Sequence, residues 1–492
     1  MQLRLSFLRP IVLALACFAL ASFYPAPADA QPARRRPAPP AESSGDKAEK
    51  PADDKAAKDA SEDKSKDAKW DEDLKTTSHT VTIGGQSVSY TATAGAMDLL
   101  DDDGKAKARI YFTAYTRDGQ DDPTKRPITF AFNGGPGSSS VWLHMGALGP
   151  RRIDFGPEGQ ALPPPGRIVD NDYSWLDLTD LVFIDPVSTG YSRPADGQDA
   201  KQFHGVDQDI SSVGDFIRLY TTRYERWLSP KFLAGESYGT TRAAGLSGYL
   251  QARHGMYLNG IVLVSAVLNF QTVAFNDGND TPYWLFLPTY TASAWYHKKL
   301  APDLQADLEK TLAEVEQWAS TDYLLALAKG DTLTDAERQT VAKRLARYTG
   351  LSEQFVLDTN LRIRIFHFTK ELLRDQGLTI GRFDSRYTGR DKDNAESRFE
   401  RDPSYSVVQG AFTAGFNDYV RRELEYENDR PYEILTGRVR PWDYGSAQNS
   451  YLNVAETLRE AINQNPSLLV LFASGRYDLA TPYFASDYTI DH

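Results

Sequence analysis

The chain carries the pentapeptide Gly235-Glu236-Ser237-Tyr238-Gly239, in which a serine stands between two glycines directly after a short apolar run. Residues 230–234 indicate the end of a strand, and residues 240–253 have the apolar spacing of a helix. A serine at so sharp a turn has a strained backbone, and only small neighbours let strand and helix approach closely enough to leave its hydroxyl exposed. The pentapeptide therefore predicts a nucleophile elbow with Ser237 as the nucleophile. The alternative is an ordinary helix start at which Ser237 is the N-cap.

A glycine-rich segment upstream supports the elbow. Residues 127–132 form a β-rich apolar run that leads into Asn133-Gly134-Gly135-Pro136-Gly137-Ser138-Ser139-Ser140. Ordering the glycines of this segment costs conformational entropy on folding. They are useful where backbone N–H groups must face a ligand. With this type of elbow, one oxyanion donor follows the nucleophile and another comes from a glycine-rich loop after an earlier strand. We therefore expect the N–H groups of Gly135 and Tyr238 to form an oxyanion hole, with a plain strand-ending turn as the alternative.

Three blocks of the chain resemble the signature blocks of the serine carboxypeptidases, peptidase family S10. They are NGGPGSSS at 133–140, Asp185-Pro186-Val187-Ser188-Thr189-Gly190-Tyr191-Ser192, and GESYGT at 235–240. The resemblance extends from about residue 80 to the end of the chain. It implies an α/β-hydrolase fold, with a central, mostly parallel sheet and an inserted helical cap. It also implies a serine-type carboxypeptidase that cleaves C-terminal residues from peptides through an acyl-enzyme intermediate.

A carboxylate is expected after a late strand, because the triad of this architecture follows the order serine, acid, histidine. Residues 467–473 are a strongly apolar strand candidate, and Gly475-Arg476-Tyr477-Asp478 follows them in a block that resembles the family's acid motif. Asp478 is therefore the candidate that orients the imidazole and stabilises its cation. The alternative is an aspartate that caps a turn before Thr481.

The catalytic histidine is missing from the expected place. Six of the seven histidines precede Asp478, and the seventh, His492, is the last residue. A base must reach the serine within hydrogen-bond distance, which in this fold takes a further helix and strand after the acid. Residues 482–491 indicate only the start of such a helix, so we expect the chain to stop short of its catalytic histidine. If the protein truly ends at His492, a catalytically inactive envelope binding protein is the alternative.

The resemblance assigns the terminal carboxylate of the substrate to Asn133 and Glu236. In the family this glutamate shares a proton with a second acid, whose aligned position here is Ala147. Without that partner, Glu236 loses the like-charge coupling that raises a pKa in such pairs. An esterase or an acyltransferase on the same site is therefore an alternative, because its acyl-enzyme chemistry is the same.

The N-terminal part of the chain lies outside the expected core. A short apolar stretch at 11–23, followed by Ala28-Asp29-Ala30, predicts a secretory signal peptide over residues 1–30. Residues 31–75 are rich in Pro, Ala, Lys and Asp with almost no large apolar side chain, which predicts a disordered linker. The only cysteine, Cys17, lies in the first segment, so the mature chain would have no thiol. We expect an exported protein, periplasmic or secreted, of a bacterial envelope.

The rest of the chain divides into three parts. Residues 76–274 carry alternating and continuous apolar runs, which predict the first part of an α/β core. Residues 275–440 lose the strand signals and show helical spacing, for example over residues 302–318, and Thr334-Asp335-Ala336-Glu337 is a capping box that opens another helix. These signals predict a helical cap over the site. Residues 441–492 would form the second part of the core, which we expect to stop before the catalytic histidine.

Composition limits the possible partners. The 492 residues have a formal net charge of −12, which argues against nucleic-acid binding. Two acidic runs, Asp101-Asp102-Asp103 and Asp391-Lys392-Asp393, lack the spacing of a calcium loop. The sequence therefore predicts a peptide substrate, no cofactor, no metal and, because the apolar stretch is too short, no membrane span in the mature protein.

Overall fold

A computed structural model describes residues 73–120, 122–157 and 159–492 of the chain. The predicted signal peptide, residues 1–30, and nearly all of the predicted linker, residues 31–75, lie outside these described residues. The linker prediction is wrong at its end, because the first strand already begins at Leu74. Leu74 is paired with Gly95 of the second strand, so sheet hydrogen bonding orders the chain from this point.

Strands and helices alternate through the first half of the described chain, and helices dominate the second half. The strands are β1 Leu74–Ile83, β2 Gln86–Leu100, β3 Ala106–Arg117, β4 Ile128–Phe132, β5 Arg151–Ile153, β6 Ile168–Asp170, β7 Asp180–Ile184, β8 Arg193–Pro194, β9 Lys231–Glu236, β10 Gly260–Val264, β11 Thr379–Ile380, β12 Thr388–Gly389 and β13 Leu469–Ala473. The α-helices are α1 Val141–Leu143, α2 Val206–Arg223, α3 Tyr238–His254, α4 Thr281–Tyr296, α5 Pro302–Gln305, α6 Leu308–Trp318, α7 Leu324–Lys329, α8 Asp335–Thr349, α9 Glu353–Asp358, α10 Ile365–Glu371, α11 Pro403–Arg422, α12 Ala455–Gln464 and α13 Tyr483–Ile490.

One sheet organises the described residues. Its strand order is β1-β2-β3-β7-β4-β9-β10-β13, with β8 paired to β3. The first three strands are antiparallel to their neighbours, whereas the five strands from β7 to β13 in this order run parallel. In such a sheet the loops after the parallel strands meet at one edge, where α/β proteins bind ligands. The mostly parallel sheet of the α/β-hydrolase fold is confirmed.

Apolar layers cover both faces of this sheet. One layer packs side chains of α2, α3 and α12 on the strands, and the other is built from the β1–β2 hairpin, α1 and α11. Every residue of β4 and of β7 is buried in consequence. Strands buried on both faces have continuous apolar sequences, which is why these runs could be recognised in the sequence.

Residues 275–440 are mainly helical, as predicted, with two differences. The helix expected over residues 302–318 is two helices, because the Asp307 side chain accepts the Lys310 N–H and starts α6 anew. The short strands β11 and β12 pair with each other where no strand was expected. The predicted capping box at the start of α8 is confirmed, with Thr334 and Glu337 bonded reciprocally. Across the part of the chain that the structure describes, we find no helix with the length and apolar character that crossing a bilayer requires.

Candidate active site

Ser237 lies at the turn between β9 and α3, where the sequence predicts it. Its backbone has φ 56° and ψ −127°, a strained conformation for a residue with a β-carbon. Its N–H donates to the Val264 carbonyl at 3.0 Å, and its side chain makes no capping bond to α3. The strained elbow is confirmed, and the alternative of Ser237 as a side-chain N-cap is wrong.

The Ser237 side chain is buried, and the prediction of an exposed hydroxyl is wrong. The residue is 0% exposed, and its Oγ has no hydrogen-bond partner among the described residues. The glycine-rich loop packs directly on the turn, so that a β-carbon added to Gly134 would stand 2.3 Å from the Tyr238 nitrogen. Close packing of this loop against the elbow contributes to the enclosure of the serine.

Glycines make this close approach possible. A β-carbon at Gly235 would stand 2.2 Å from the Gly239 carbonyl oxygen, so the strand and helix meet without space for a side chain. Gly135 has φ 108°, a conformation that favours glycine. The loop therefore runs beside the Tyr238 N–H, and the use of the Gly135 and Tyr238 amides as an oxyanion hole stays a prediction.

The side chains of Asn133 and Glu236 are brought together. The Asn133 Nδ2 donates to the Glu236 Oε2 at 2.7 Å, and both residues are 0% exposed. The Asn133 Oδ1 accepts the Leu143 N–H at 3.0 Å, which fixes the orientation of the amide. The structure thus pairs Glu236 with an amide, and the binding of a substrate carboxylate by these two residues stays a prediction.

Asp478 follows β13 at the same edge of the sheet and is 4% exposed. Its Oδ1 accepts the N–H groups of Ala480 and Thr481 at 2.8 and 3.1 Å, and its Oδ2 accepts the Thr481 hydroxyl at 2.8 Å. Burial raises the pKa of Asp478, and these bonds together with the Ser265 hydroxyl oppose that rise. The carboxylate therefore caps its own turn, as the alternative interpretation expected, at a position that suits a triad acid.

No histidine hydrogen-bonds to Ser237 or Asp478 in the described chain, which includes all seven. Burial lowers the pKa of His144 to about 3, and its ring lies against Phe183. His492 is exposed, and its Nδ1 donates to the Tyr488 carbonyl at 2.7 Å. The described residues thus supply a serine and an acid without a base.

Asp185 belongs to the second signature block, and its contact with the glycine-rich loop was not predicted from the sequence. Its Oδ1 accepts both the N–H and the hydroxyl of Ser140 at 2.8 Å, which anchors the end of the glycine-rich loop. Burial raises the pKa of Asp185 to about 6, although Ser140, Tyr432 and Arg193 stabilise the anion. Asp185 directly follows β7, so its place after a buried parallel strand was the available signal.

Arg242 was also missed. It is 1% exposed and pairs with Asp209, which lies on α2. Arg242 stands four residues before Leu246 and eight before Leu250, which share the buried face of α3. Helical spacing alone therefore indicates that Arg242 lies on the apolar face of α3. A buried charge on that face needs an oppositely charged partner, and this was the available signal.

Residues from the predicted cap contact both the glycine-rich loop and the loop after β13. The Ser139 N–H donates to the Ile434 carbonyl at 2.9 Å, and the Thr436 N–H donates to the Gly137 carbonyl. At the acid loop, the Ser385 N–H donates to the Tyr477 carbonyl at 2.9 Å. The segment between 275 and 440 therefore helps to hold the loops on which the site is built.

A mostly parallel sheet with helices on both faces, and a strained serine between β9 and α3, define an α/β hydrolase. The sequence profile described as serine carboxypeptidase, Peptidase_S10, matches residues 86–492. The chain therefore belongs to the serine carboxypeptidase family.

Individual relatives match over shorter stretches. Serine carboxypeptidase-like 45 of Arabidopsis thaliana is 27% identical over 179 residues, which are 35% of this chain and 36% of that protein. Carboxypeptidase Y of Saccharomyces cerevisiae is 30% identical over 161 residues, or 31% of this chain and 26% of that protein. The aligned part thus spans about a third of these relatives or less.

A solved structure shows the same fold. The prohormone-processing carboxypeptidase KEX1 of Saccharomyces cerevisiae superposes with a TM-score of 0.52 and 17% identity. The superposition covers 82% of this chain and 76% of that one. At this identity the similarity concerns the fold alone.

Proposed function

We propose that the protein is a serine carboxypeptidase that releases C-terminal residues from peptides through an acyl-enzyme on Ser237. The observation that carries the proposal is the strained backbone of Ser237 beside a glycine-rich loop, in a member of this family. The Ser237 side chain makes no capping bond to α3. The Ser237 oxygen attacks the scissile carbonyl, and the amides of Gly135 and Tyr238 stabilise the oxyanion. Each such donor typically lowers the barrier by about 3 kcal/mol.

Recognition of the substrate terminus is assigned to Asn133 and Glu236. The two side chains are in contact and buried at the carboxyl edge of the sheet, and Glu236 directly precedes Ser237 in the sequence. Asn133 offers an amide donor to a carboxylate, and Glu236 can donate only when it is protonated. Binding of the substrate carboxylate to this pair would place the scissile bond near Ser237.

The proposed hydrolysis also needs a general base. Asp478 is suited to orient an imidazole because it is buried at the same edge as the elbow. Within the described residues, none of the seven histidines is bonded to Asp478. Loss of one triad member typically lowers kcat by several orders of magnitude.

Comparison of three substrates tests the assignment. We expect kcat/KM for an N-blocked dipeptide to exceed that for its C-terminal amide, and Ser237→Ala to abolish turnover of both. An equal rate on dipeptide and amide would exclude a carboxypeptidase. If in addition a simple ester is the best substrate, the site is that of an esterase or acyltransferase.

A second candidate is favoured by the histidine arrangement. Because no described histidine reaches Ser237, a protein that binds peptide carboxylates without cleaving them fits the same residues. Calorimetry with an N-blocked amino acid would then show binding, with no turnover of any of the three substrates.

We also propose that the protein acts outside the cytoplasm. The proposal rests on the apolar stretch at 11–23 and the small residues at 28–30, which fit an export signal. N-terminal sequencing of the protein from the producing cell should begin near Gln31. A mature N-terminus at Met1 would contradict export by this route.

A further inference from the structure

A buried arginine connects the elements around the nucleophile turn. The Nε and Nη2 of Arg242, on α3, donate to the two carboxylate oxygens of Asp209 on α2, at 2.7 and 3.1 Å. The Nη1 donates to the backbone carbonyl of Asn133 at 2.6 Å. One guanidinium therefore joins two helices to the first residue of the glycine-rich loop.

The surroundings of Arg242 restrict its position. The guanidinium lies 5.3 Å from the centre of the Phe132 ring and 5.6 Å from that of Tyr238. Arg242 and Asp209 are 1% and 3% exposed, so neither is free to move into solvent. A buried pair of this kind contributes little net stability, because desolvation offsets the attraction between the charges. Stability alone is thus a weak reason for placing a charged pair here.

The three directions in which the Arg242 guanidinium donates hydrogen bonds explain its place here better than its charge does. A planar guanidinium can serve two carboxylate oxygens and a carbonyl at once, whereas an ammonium is a point charge. The third direction fixes the carbonyl of Asn133, whose side chain also accepts the Leu143 N–H. With both groups held, the Asn133 Nδ2 is directed at Glu236, 2.7 Å away.

We propose that Arg242 is a positioning residue for carboxylate recognition. It sets the backbone of Asn133 and, through it, the pair of Asn133 and Glu236 side chains that takes the terminal carboxylate of a peptide or N-acyl amino acid. This inference rests on the proposed function. Arg242 acts from between α2, α3 and the loop and does not touch the substrate.

Arg242→Lys separates positioning from charge. A lysine can keep the ion pair with Asp209, but its single nitrogen does not reproduce the planar, three-direction set of bonds that includes the Asn133 carbonyl. Calorimetry with an N-benzyloxycarbonyl amino acid and with its amide measures the preference for a free carboxylate. We expect the variant to lose about tenfold of this preference, the scale of one hydrogen bond near a charged group. Affinity for the amide should stay unchanged.

Arg226→Lys is the matched control. Arg226 is a second buried arginine, 5% exposed, that donates to Asp180 at 2.6 Å and to the Arg126 carbonyl at 2.9 Å. Asp180 begins β7, so this pair lies at the opposite, amino edge of the parallel strands. The control should lower the Tm by a similar amount and leave the carboxylate preference intact.

Hydrogen exchange of residues 133–143 tests the positioning without a ligand. It should be faster in Arg242→Lys than in Arg226→Lys. An Arg242→Lys protein with unchanged exchange and unchanged carboxylate preference overturns the inference, as does an equal loss of affinity for carboxylate and amide. If the wild-type protein shows no carboxylate preference, the proposed function fails, while the exchange rates still decide whether Arg242 holds Asn133. Should Arg242→Lys not fold, the neutral pair R242Q/D209N undergoes the same measurements.

Discussion

Ser140 donates its backbone N–H and its hydroxyl to the same oxygen of Asp185, each at 2.8 Å. Asp185 thereby anchors the end of the glycine-rich loop, while Arg242 anchors its beginning at Asn133. Both Asp185 and Arg242 are buried ionisable residues. Asp185 directly follows β7, and Arg242 lies on α3. The glycine-rich loop beside Ser237 is thus held at both ends.

Asp185→Asn should change how stability depends on pH. Burial raises the pKa of Asp185 to about 6 in the folded protein, above its value of 3.8 in an unfolded chain. Between these values the folded state binds more protons, so this carboxyl lowers the free energy of unfolding as pH rises from about 4 to 6. The loss should reach about 3 kcal/mol and level off above pH 6.

Urea unfolding of wild type and Asp185→Asn between pH 4 and 7 measures this effect. As pH rises, the free energy of unfolding of Asp185→Asn should increase relative to that of the wild type. The other carboxyls contribute equally to both proteins and cancel in the difference. A difference that is independent of pH would show that Asp185 titrates as an ordinary carboxyl.

Ser237→Gly should be more stable than Ser237→Ala. Both substitutions remove the hydroxyl, but only alanine keeps a β-carbon at φ 56°. Release of that strain is expected to raise the free energy of unfolding by about 1 kcal/mol or more. Thermal and chemical unfolding of the two variants measures it, and neither should react with an organophosphorus reagent. Labelling that persists in either variant would place the nucleophile elsewhere.

Gly134→Ala should disrupt the elbow. A β-carbon there would stand 2.3 Å from the Tyr238 nitrogen, so the loop must move away from the turn. We expect a fall of at least about 2 kcal/mol in the free energy of unfolding, as for other overpacked sites, and the loss of catalysis. Gly410→Ala is the control, because Gly410 lies in α11 with no atom within 4 Å of an added β-carbon. That control should stabilise the protein slightly, since alanine favours helices.

Added imidazole should accelerate acylation of Ser237. Asp478 is in place at the edge of the sheet, and no described histidine is bonded to it or to Ser237. In a protein of residues 1–492, the rate of reaction with a p-nitrophenyl ester should increase with imidazole concentration beyond the solution reaction measured with Ser237→Ala. A fast reaction without imidazole would mean that one of the seven histidines reaches the serine.

Local patterns predicted the elbow because its requirements are local. A turn without room for side chains needs glycine at Gly235 and Gly239, and the apolar runs around it are long enough to indicate a strand and a helix. The choice of Asn133 and Glu236 as carboxylate-binding residues came from family resemblance, and the structure places those side chains in contact. The split at Asp307 and the early start of β1 were missed, since they depend on single side-chain and strand-pairing contacts.

The sequence by itself determined the α/β hydrolase framework, the position of Ser237 at its turn and the place of Asp478 after a late strand, because periodicity and glycine placement express constraints between near neighbours. Only the tertiary structure decided that the serine is enclosed, that Asp185 and Arg242 hold the glycine-rich loop, and that no described histidine bonds to Ser237 or Asp478. Those outcomes depend on which distant segments fold against one another, and burial and charge pairing are properties of that packing.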